Sequence, residues 1–384
     1  MKSLYERIRP GKTNLSLLKE VHAAHQPSIL SGLYSERLWR HKSMRMTLKY
    51  ITDPSQYEVL QSHATANLKL WQKTKVKLPC VVEVINQDWG DATLEATKKS
   101  GTPYAVLNMA NSQFPGGASL EGGSAQEENM WLRTTCSLSL LDKGIYFDKE
   151  SNTFRYEDET RDLLRAMKKM TSEELNTLSQ RRKETIAEAY HVFLNKKLQI
   201  CFRGAELFIE TDSSEGGKPM RIAESTMSFP FLHPQQIFPF YELRSAAADL
   251  SDNKMDWSDA LLLERYKKDM RRRVAGQLDT LILNEKSHVI LGAWGCGAFK
   301  NKPDFVAEVY REEIEKRAKF FDHIVFPIIN AGSSENFNVF RECLNGLKLG
   351  KEPNRSHFFP ALTDTPSKTE DDLLKGASKS APLV

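Results

Sequence analysis

Two adjacent carboxylates and an amide, Gln126-Glu127-Glu128, stand at the far end of a loop that carries two glycine pairs, Gly116-Gly117 and Gly122-Gly123. Carboxyl groups are able to give and take protons, and glycine lets a backbone approach a ligand without a Cβ in the way. An apolar run, Tyr104-Ala-Val-Leu-Asn-Met-Ala110, leads into the loop, and the three acid and amide residues open a helix, where free N–H groups and the positive end of the macrodipole favour anions. On residue types alone two readings stand. One is a loop built to hold a ligand beside carboxylates; the other is a turn followed by an ordinary acidic first helical turn.

A second landmark is His288-Val-Ile-Leu-Gly-Ala-Trp-Gly-Cys-Gly-Ala-Phe299, an apolar strand running into a glycine-rich turn. Successive backbone N–H groups of such a turn form a nest for phosphate oxygens, and the helix expected from near Pro303 adds a positive end. Tight turns also need glycine, and neither the GxGxxG fingerprint nor a Walker motif is present. Cys296 has no paired histidine at a recognisable position, which argues against a nucleophilic thiol.

The elements that must position these loops alternate. Val81–Ile85 reads as a strand, Asp91–Thr97 as a helix capped by Asp91, and Tyr104–Ala110 as the next strand, which makes a βαβ unit. A long helix over 257–285 carries Leu261, Leu262, Tyr266, Met270, Val274, Leu278, Leu281 and Ile282 at helical spacing. The strand at His288, a helix over 303–319 and a strand over His323–Ile329 complete a second unit. Strands near 81, 104, 288 and 323 alternating with helices predict an α/β fold with ligand loops at the carboxyl ends of the strands.

Other stretches give expectations of their own. Residues 1–78 read as a polar helical extension packing on the core, with Tyr34, Leu38 and Trp39 in one apolar patch, Tyr57, Leu60, Leu68, Leu70 and Trp71 in another, and Pro54 between them. Arg37, Arg40, His41 and Lys42 read as a solvated face, as do Lys267-Lys268 and Arg271–Arg273. A helical insertion is expected at about 158–200, with Thr171 and Glu174 at capping-box spacing and Ile186, Tyr190, Phe193 and Leu194 on one face. Glu206–Glu210 alternates as a strand does, and a loop with Gly216-Gly217 and Pro219 follows. Between Phe229 and Leu243, Pro230, Pro234 and Pro239 argue against a regular central strand and for a core edge. Residues 351–384 are polar and weakly patterned, which predicts a disordered tail after a core spanning 79–350.

Composition narrows the classes. With 384 residues and 40% hydrophobic content the chain is able to bury a sizeable core. A formal charge of +4 against 54 basic and 50 acidic residues gives no basic field for nucleic acid. Five cysteines without a C-x-x-C pair argue against a disulfide framework and a zinc site and for a reducing compartment. No run approaches the roughly 20 apolar residues of a membrane span. A cytoplasmic monomer without a metal or cofactor is expected.

The stretch Pro115–Glu128, PGGASLEGGSAQEE, resembles the signature of microbial-type poly(ADP-ribose) glycohydrolases, in which three glycines and a short spacer precede Gln-Glu-Glu. Gly292–Gly297, GAWGCG, followed by Phe299, is similar to that family's second phosphate-binding loop, and Thr93-Leu-Glu-Ala96 to its first helix; Gln87-Asp-Trp-Gly90 is a small insertion near the cleft. The resemblance implies a macrodomain-like mixed sheet flanked by helices. It implies that Glu128 protonates the leaving oxygen at the distal ribose of ADP-ribose and then deprotonates a water. It also implies that Glu127 fixes ribose hydroxyls, that Gln126 orients the loop and that Asn111 contacts the distal ribose. Gly116 and Gly117 would wrap the ligand, and backbone N–H groups of Gly295, Cys296 and Gly297 would hold the pyrophosphate beside Phe299. The partner implied is ADP-ribose or an ADP-ribosylated protein, with the insertion at 158–200 a surface for a protein partner. Ala118 stands where the family has its third glycine, and its methyl is expected to narrow the space beside the distal ribose. That departure keeps open a non-catalytic reader of ADP-ribose, or a partner-binding protein with a vestigial cleft.

Overall fold

The computed structural model describes residues 7–8, 15–28, 36–207, 209–210, 221–222, 229–252, 255–330 and 335–350. The tail at 351–384, the loop at Gly216-Gly217 and Pro219, and Tyr34 lie outside the described residues. The predicted strand at Glu206–Glu210 is seen only as β8 (Ile209–Glu210), bonded to β9 (Arg221–Ile222), and a separate small sheet joins β1 (Arg7–Ile8), β4 (Ile145–Asp148) and β5 (Thr153–Tyr156), which α6 (Asp158–Leu164) follows.

Apolar alternation gives β2 (Val82–Ile85), and Asp88 then caps α4 (Trp89–Ser100) by accepting from the N–H groups of Gly90 and Asp91. The helix thus starts before Asp91, and the residues read as an insertion are its cap and first turn. Strand β3 (Ala105–Met109) follows, then the glycine loop, then α5 (Gln126–Arg133). Strands β10 (Phe238–Ser245), β11 (His288–Ile290) and β12 (His323–Pro327) complete a parallel set in the order β2-β12-β11-β3-β10, with the short strands β6 (Phe193–Leu194) and β7 (Gln199–Cys201) antiparallel to β10. Helices flank this mixed, mainly parallel sheet, as an α/β chain was expected to arrange them.

Strand β10 corrects the reading of the proline-rich stretch. Its first residues, Phe238–Phe240, pair only with β7, and pairing with β3 begins at Tyr241. Pro239 therefore sits where no parallel neighbour needs an N–H donor, and the strand becomes central only after it. The insertion differs as well. The capping box of Thr171 and Glu174 opens α7 (Ser172–Arg182), but Lys183 at φ 56° ends it, and 186–194 runs on as irregular chain into β6 rather than as a helical stripe. In α8 (Ala260–Leu283) the buried stripe begins at Tyr266, while Leu261 and Leu262 stand exposed in the first turn.

Among the described residues three helices precede the sheet: α1 (Leu15–Ala24), α2 (Arg37–Thr52) and α3 (Pro54–Thr74), the last starting at the predicted break. Leu17, Leu18, Val21, Met44, Leu48, Leu60 and Trp71 enter one buried cluster with Tyr104, Met130 and Trp131, whereas Leu70 is exposed. The predicted solvated face at 37–42 is not one throughout: Arg40 and His41 are buried, and Arg40 pairs with Glu36 and Glu206. The arginines of α8 are paired too, Arg271 with Glu312 and both Arg272 and Arg273 with Asp269.

Candidate active site

A cleft of about 530 Å³ opens at the carboxyl ends of β3, β11 and β12, lined among others by Trp89, Asn111, Gln126, Glu127, Glu128, Gly295, Gly297, Ala298, Phe299 and Ile328. Both sequence landmarks thus meet in one cavity. Of the residues singled out in the sequence, Gly116, Gly117 and Cys296 do not line it.

The 111–128 loop is built around its carboxylates. Gln126 accepts from the Met109 N–H and donates to the Leu107 carbonyl, both at 2.9 Å, which ties the start of α5 to the edge of β3. Glu127 is 3% exposed. Its two oxygens accept from the N–H groups of Asn111 at 2.7 Å and Gly116 at 3.1 Å, so this carboxylate closes the loop on itself. Glu128 turns one oxygen, Oε1, to the Ala118 N–H at 2.9 Å, while Oε2 is buried without a partner among the described residues. Burial raises the pKa of both carboxyls, that of Glu127 well above the ordinary range, where the adjacent Glu128 charge adds to the effect against the opposing N–H donors and Arg244.

The glycines serve these carboxylates rather than the cleft. Gly116 has φ 76°, and a Cβ there would overlap the Trp131 ring; Gly117 has φ 55°, and a Cβ there would lie 2.2 Å from Glu128 Oε1. Their N–H groups go to Glu127 and to the Phe114 carbonyl. The expectation that they wrap a ligand is corrected on this ground. Ala118 has φ −94° and ψ 27°, a conformation open to any residue, and its methyl packs against Gly123 outside the cleft lining, so the expected narrowing is not seen. Asn111 directs Oδ1 to the N–H groups of Gln113 and Phe114, which leaves its amide NH₂ as the group able to donate into the cleft.

The second loop faces outward. Gly295, at φ 74°, lies so close to Ala247 and Asn301 that a Cβ would fall 2.6 Å from each. The N–H groups of Gly295, Gly297 and Ala298 find no acceptor among the described residues, whereas the Cys296 N–H donates to the Ala293 carbonyl at 3.1 Å. Cys296 therefore shapes the turn and offers no free donor, and burial pushes its thiol up to about 12. Asn301, which sequence reasoning missed, donates to the carbonyls of Ala248 and Gly295 and accepts from Tyr266, and Trp294 donates to the Ser245 carbonyl. Trp89, in the stretch expected near the cleft, lines it, held by Asn129 through its Nε1 and covered by the Arg133 guanidinium 4.8 Å from its ring centroid. Among the described residues no cluster of His, Cys, Asp or Glu is suited to a metal ion, and no helix is long and apolar enough to cross a membrane.

Comparison with known proteins adds to this geometry. The family model of the microbial-type PARG catalytic domain matches residues 37–165, about a third of the chain. No curated protein matches. Among solved structures, the poly(ADP-ribose) glycohydrolase from Thermomonospora curvata is 18% identical at a TM-score of 0.45, covering 80% of this chain and 99% of that one. The enzyme from Deinococcus radiodurans in complex with ADP-ribose is 20% identical at a TM-score of 0.40, covering 73% and 90%. The Thermomonospora curvata enzyme bound to the inhibitor ADP-HPD is 18% identical at 0.44, covering 79% and 98%. These overlaps are loose, and the family match carries more weight because it spans the first loop entirely. The segment from Arg37 to Arg165, Gln126-Glu127-Glu128 included, is thus similar to the catalytic domain of microbial-type PARG.

Proposed function

We propose that the chain is a macrodomain-like hydrolase that cleaves the glycosidic bond at the distal ribose of ADP-ribose, releasing ADP-ribose from poly- or mono-ADP-ribosylated substrates. The observation that carries this reading is the Glu128 carboxyl, anchored through one oxygen and left with the other buried and without a partner among the described residues, beside a cleft also lined by Gly295, Gly297 and Ala298, whose N–H groups have no acceptor among those residues. Burial raises its pKa, which favours the protonated form over that of an exposed carboxyl. In the first step Glu128 gives its proton to the leaving oxygen as the bond from the anomeric carbon breaks, the bond's electron pair going to the oxygen. The oxocarbenium-like centre is then attacked by water, and the Glu128 carboxylate takes the water's proton. Glu127 holds the loop closed through Asn111 and Gly116, and the N–H groups of Gly295, Gly297 and Ala298 suit a pyrophosphate. The role first expected of Glu127, fixing ribose hydroxyls, has to share oxygens already engaged by backbone.

Incubation of the protein with ADP-ribose polymer and with a mono-ADP-ribosylated protein, followed by mass spectrometry of free ADP-ribose, tests the reading. Release from at least one substrate is expected. Binding of ADP-ribose without release from either would establish a reader instead, a reading that loses its main support because the Ala118 methyl does not enter the cleft.

A further inference from the structure

Against the 116–123 loop lies a histidine cluster to which the proposed chemistry assigns no role. His41 of α2 is 1% exposed, and its Nδ1 lies 2.8 Å from the Leu120 carbonyl oxygen, to which it donates. Its ring stacks on His22 of α1 with centroids 3.9 Å apart and planes 6° from parallel, and His22 Nε2 lies 2.9 Å from the His41 carbonyl. His25, just past the end of α1, lies 3.8 Å from the Glu121 carboxylate. Gly122, at φ 80°, abuts the Arg37 carbonyl so closely that a Cβ would sit 2.0 Å from its oxygen. Contacts from α1 and α2 therefore fall on three successive residues, Leu120, Glu121 and Gly122, of the turn that starts at Ala118. The Ala118 N–H in turn holds Glu128. Helix α1 precedes residue 37, where the family match begins, so the stack joins a matched residue to one outside the match.

We propose that His41, backed by His22, is a positioning residue for Glu128: by holding the Leu120 carbonyl it fixes the 118–122 turn and with it the N–H that aims the Glu128 carboxyl. The inference rests on the role given to Glu128 above. The titratable and charged groups around the pair are His25 just past α1, Arg45 of α2 and Glu121 of the turn. On α5, which also packs on α2, they are Glu127, Glu128 and Arg133, the last turned to Asp88. Burial first, then nearby positive charge, brings His22 down to about 4 and lowers His41, so at neutral pH the stacked rings are uncharged and do not repel.

The test follows the Glu128 carboxyl carbon by NMR in full-length protein labelled at glutamate, the signal being identified by its loss in Glu128→Gln. His41→Phe keeps a ring for stacking and removes the donor; the Glu128 titration midpoint is expected to rise further above the ordinary carboxylate range, because the Ala118 N–H that lowers it is loosened. His41→Asn returns a donor near the Nδ1 position and should bring the midpoint back. On an active parent, His41→Phe should lower turnover at least about tenfold with KM within about threefold, and His41→Asn should recover most of it. An unchanged midpoint in folded His41→Phe overturns the proposal, with or without hydrolysis. A midpoint that responds in a protein that releases no ADP-ribose supports the positioning role and refutes the glycohydrolase reading instead. Should His41→Phe not fold, His22→Leu decides, because it removes the backing ring and leaves the donor; a midpoint equal to the parent's then overturns the proposal.

Discussion

Gly117→Ala places a methyl group where the Glu128 carboxyl sits. The new Cβ would lie 2.2 Å from Glu128 Oε1 and 3.0 Å from its carboxyl carbon, against an ordinary contact that begins at 3.4 Å. The shortfall at the oxygen is about 1.2 Å, and the atom struck is the end of a side chain, so the carboxyl yields and the fold persists. The backbone cost is that of one alanine at φ 55°, roughly 1–2 kcal/mol. Retreat of the carboxyl stretches or breaks the 2.9 Å bond from Ala118 and moves the reacting group by about 1 Å, a displacement worth on the order of 10²-fold in rate. The 293–299 loop is untouched, so ADP-ribose affinity should stay within about tenfold. Turnover and calorimetric affinity measured on the same preparation separate the two effects. Turnover within about threefold of the parent, in a protein whose affinity is also unchanged, would refute the claim that Gly117 exists to admit the Glu128 carboxyl.

Glu128→Gln should lose about 10²–10⁴ in turnover while retaining ADP-ribose affinity, and parental turnover would move the chemistry to another group. A carboxyl whose pKa is raised by folding contributes stability that is full below its unfolded pKa and is lost as pH rises through the folded one; Glu128→Gln should therefore melt higher than the parent at neutral pH, with the gap closing as pH falls towards 4, and a gap that widens on acidification would contradict the raised pKa. Gly295→Val forces a β-branched side chain into φ 74° and against Ala247 and Asn301, so ADP-ribose binding should fall by more than about tenfold in calorimetry; unchanged affinity would remove this loop from the site. Ala118→Gly should leave turnover within about threefold of the parent, because the methyl packs outside the cleft; a large gain would restore the idea that it crowds the distal ribose.

Much of the fold was legible because its signals are local. The acids at Glu127 and Glu128 mark a helix start, Thr171 and Glu174 carry their own capping box, and strands β2, β3, β11 and β12 are short apolar runs bounded by polar or glycine-bearing chain. Misreadings arose where a local rule met a distant partner. Pro239 looks like a strand breaker until β7 proves to be the only neighbour at that level. Lys183 gives no composition cue that it will adopt a left-handed conformation and end α7 before the 186–194 stripe. Arg40 and His41 belong to a basic run, and only the folded chain brings Glu206 and the Leu120 carbonyl to them. Asn301 was invisible for the same reason, since its bonds reach Tyr266 and Ala248, 35 and 53 residues away.

The two glycine-rich loops look alike in sequence and work in opposite directions. At 116–118 each N–H is turned inward, to Glu127, to the Phe114 carbonyl and to Glu128, so the glycines there are required by carboxylates and by the Trp131 ring. At 295–298 the turn is held by Asn301 and by the Ala293 carbonyl, and the N–H groups of Gly295, Gly297 and Ala298 have no acceptor among the described residues. One loop thus spends its N–H groups on the protein's own carboxyls, and the proposed function gives those of the other to a ligand's phosphates. That division explains why a third glycine is dispensable in the first loop: position 118 donates its N–H from an ordinary backbone conformation, and a methyl on it displaces nothing that binds. It also locates the sensitivity of the site. Under the proposed chemistry, changes at 116 and 117 are expected to act on proton transfer through Glu128, and changes at 295 on binding. A measurement that separates turnover from affinity therefore tells the loops apart where their sequences do not.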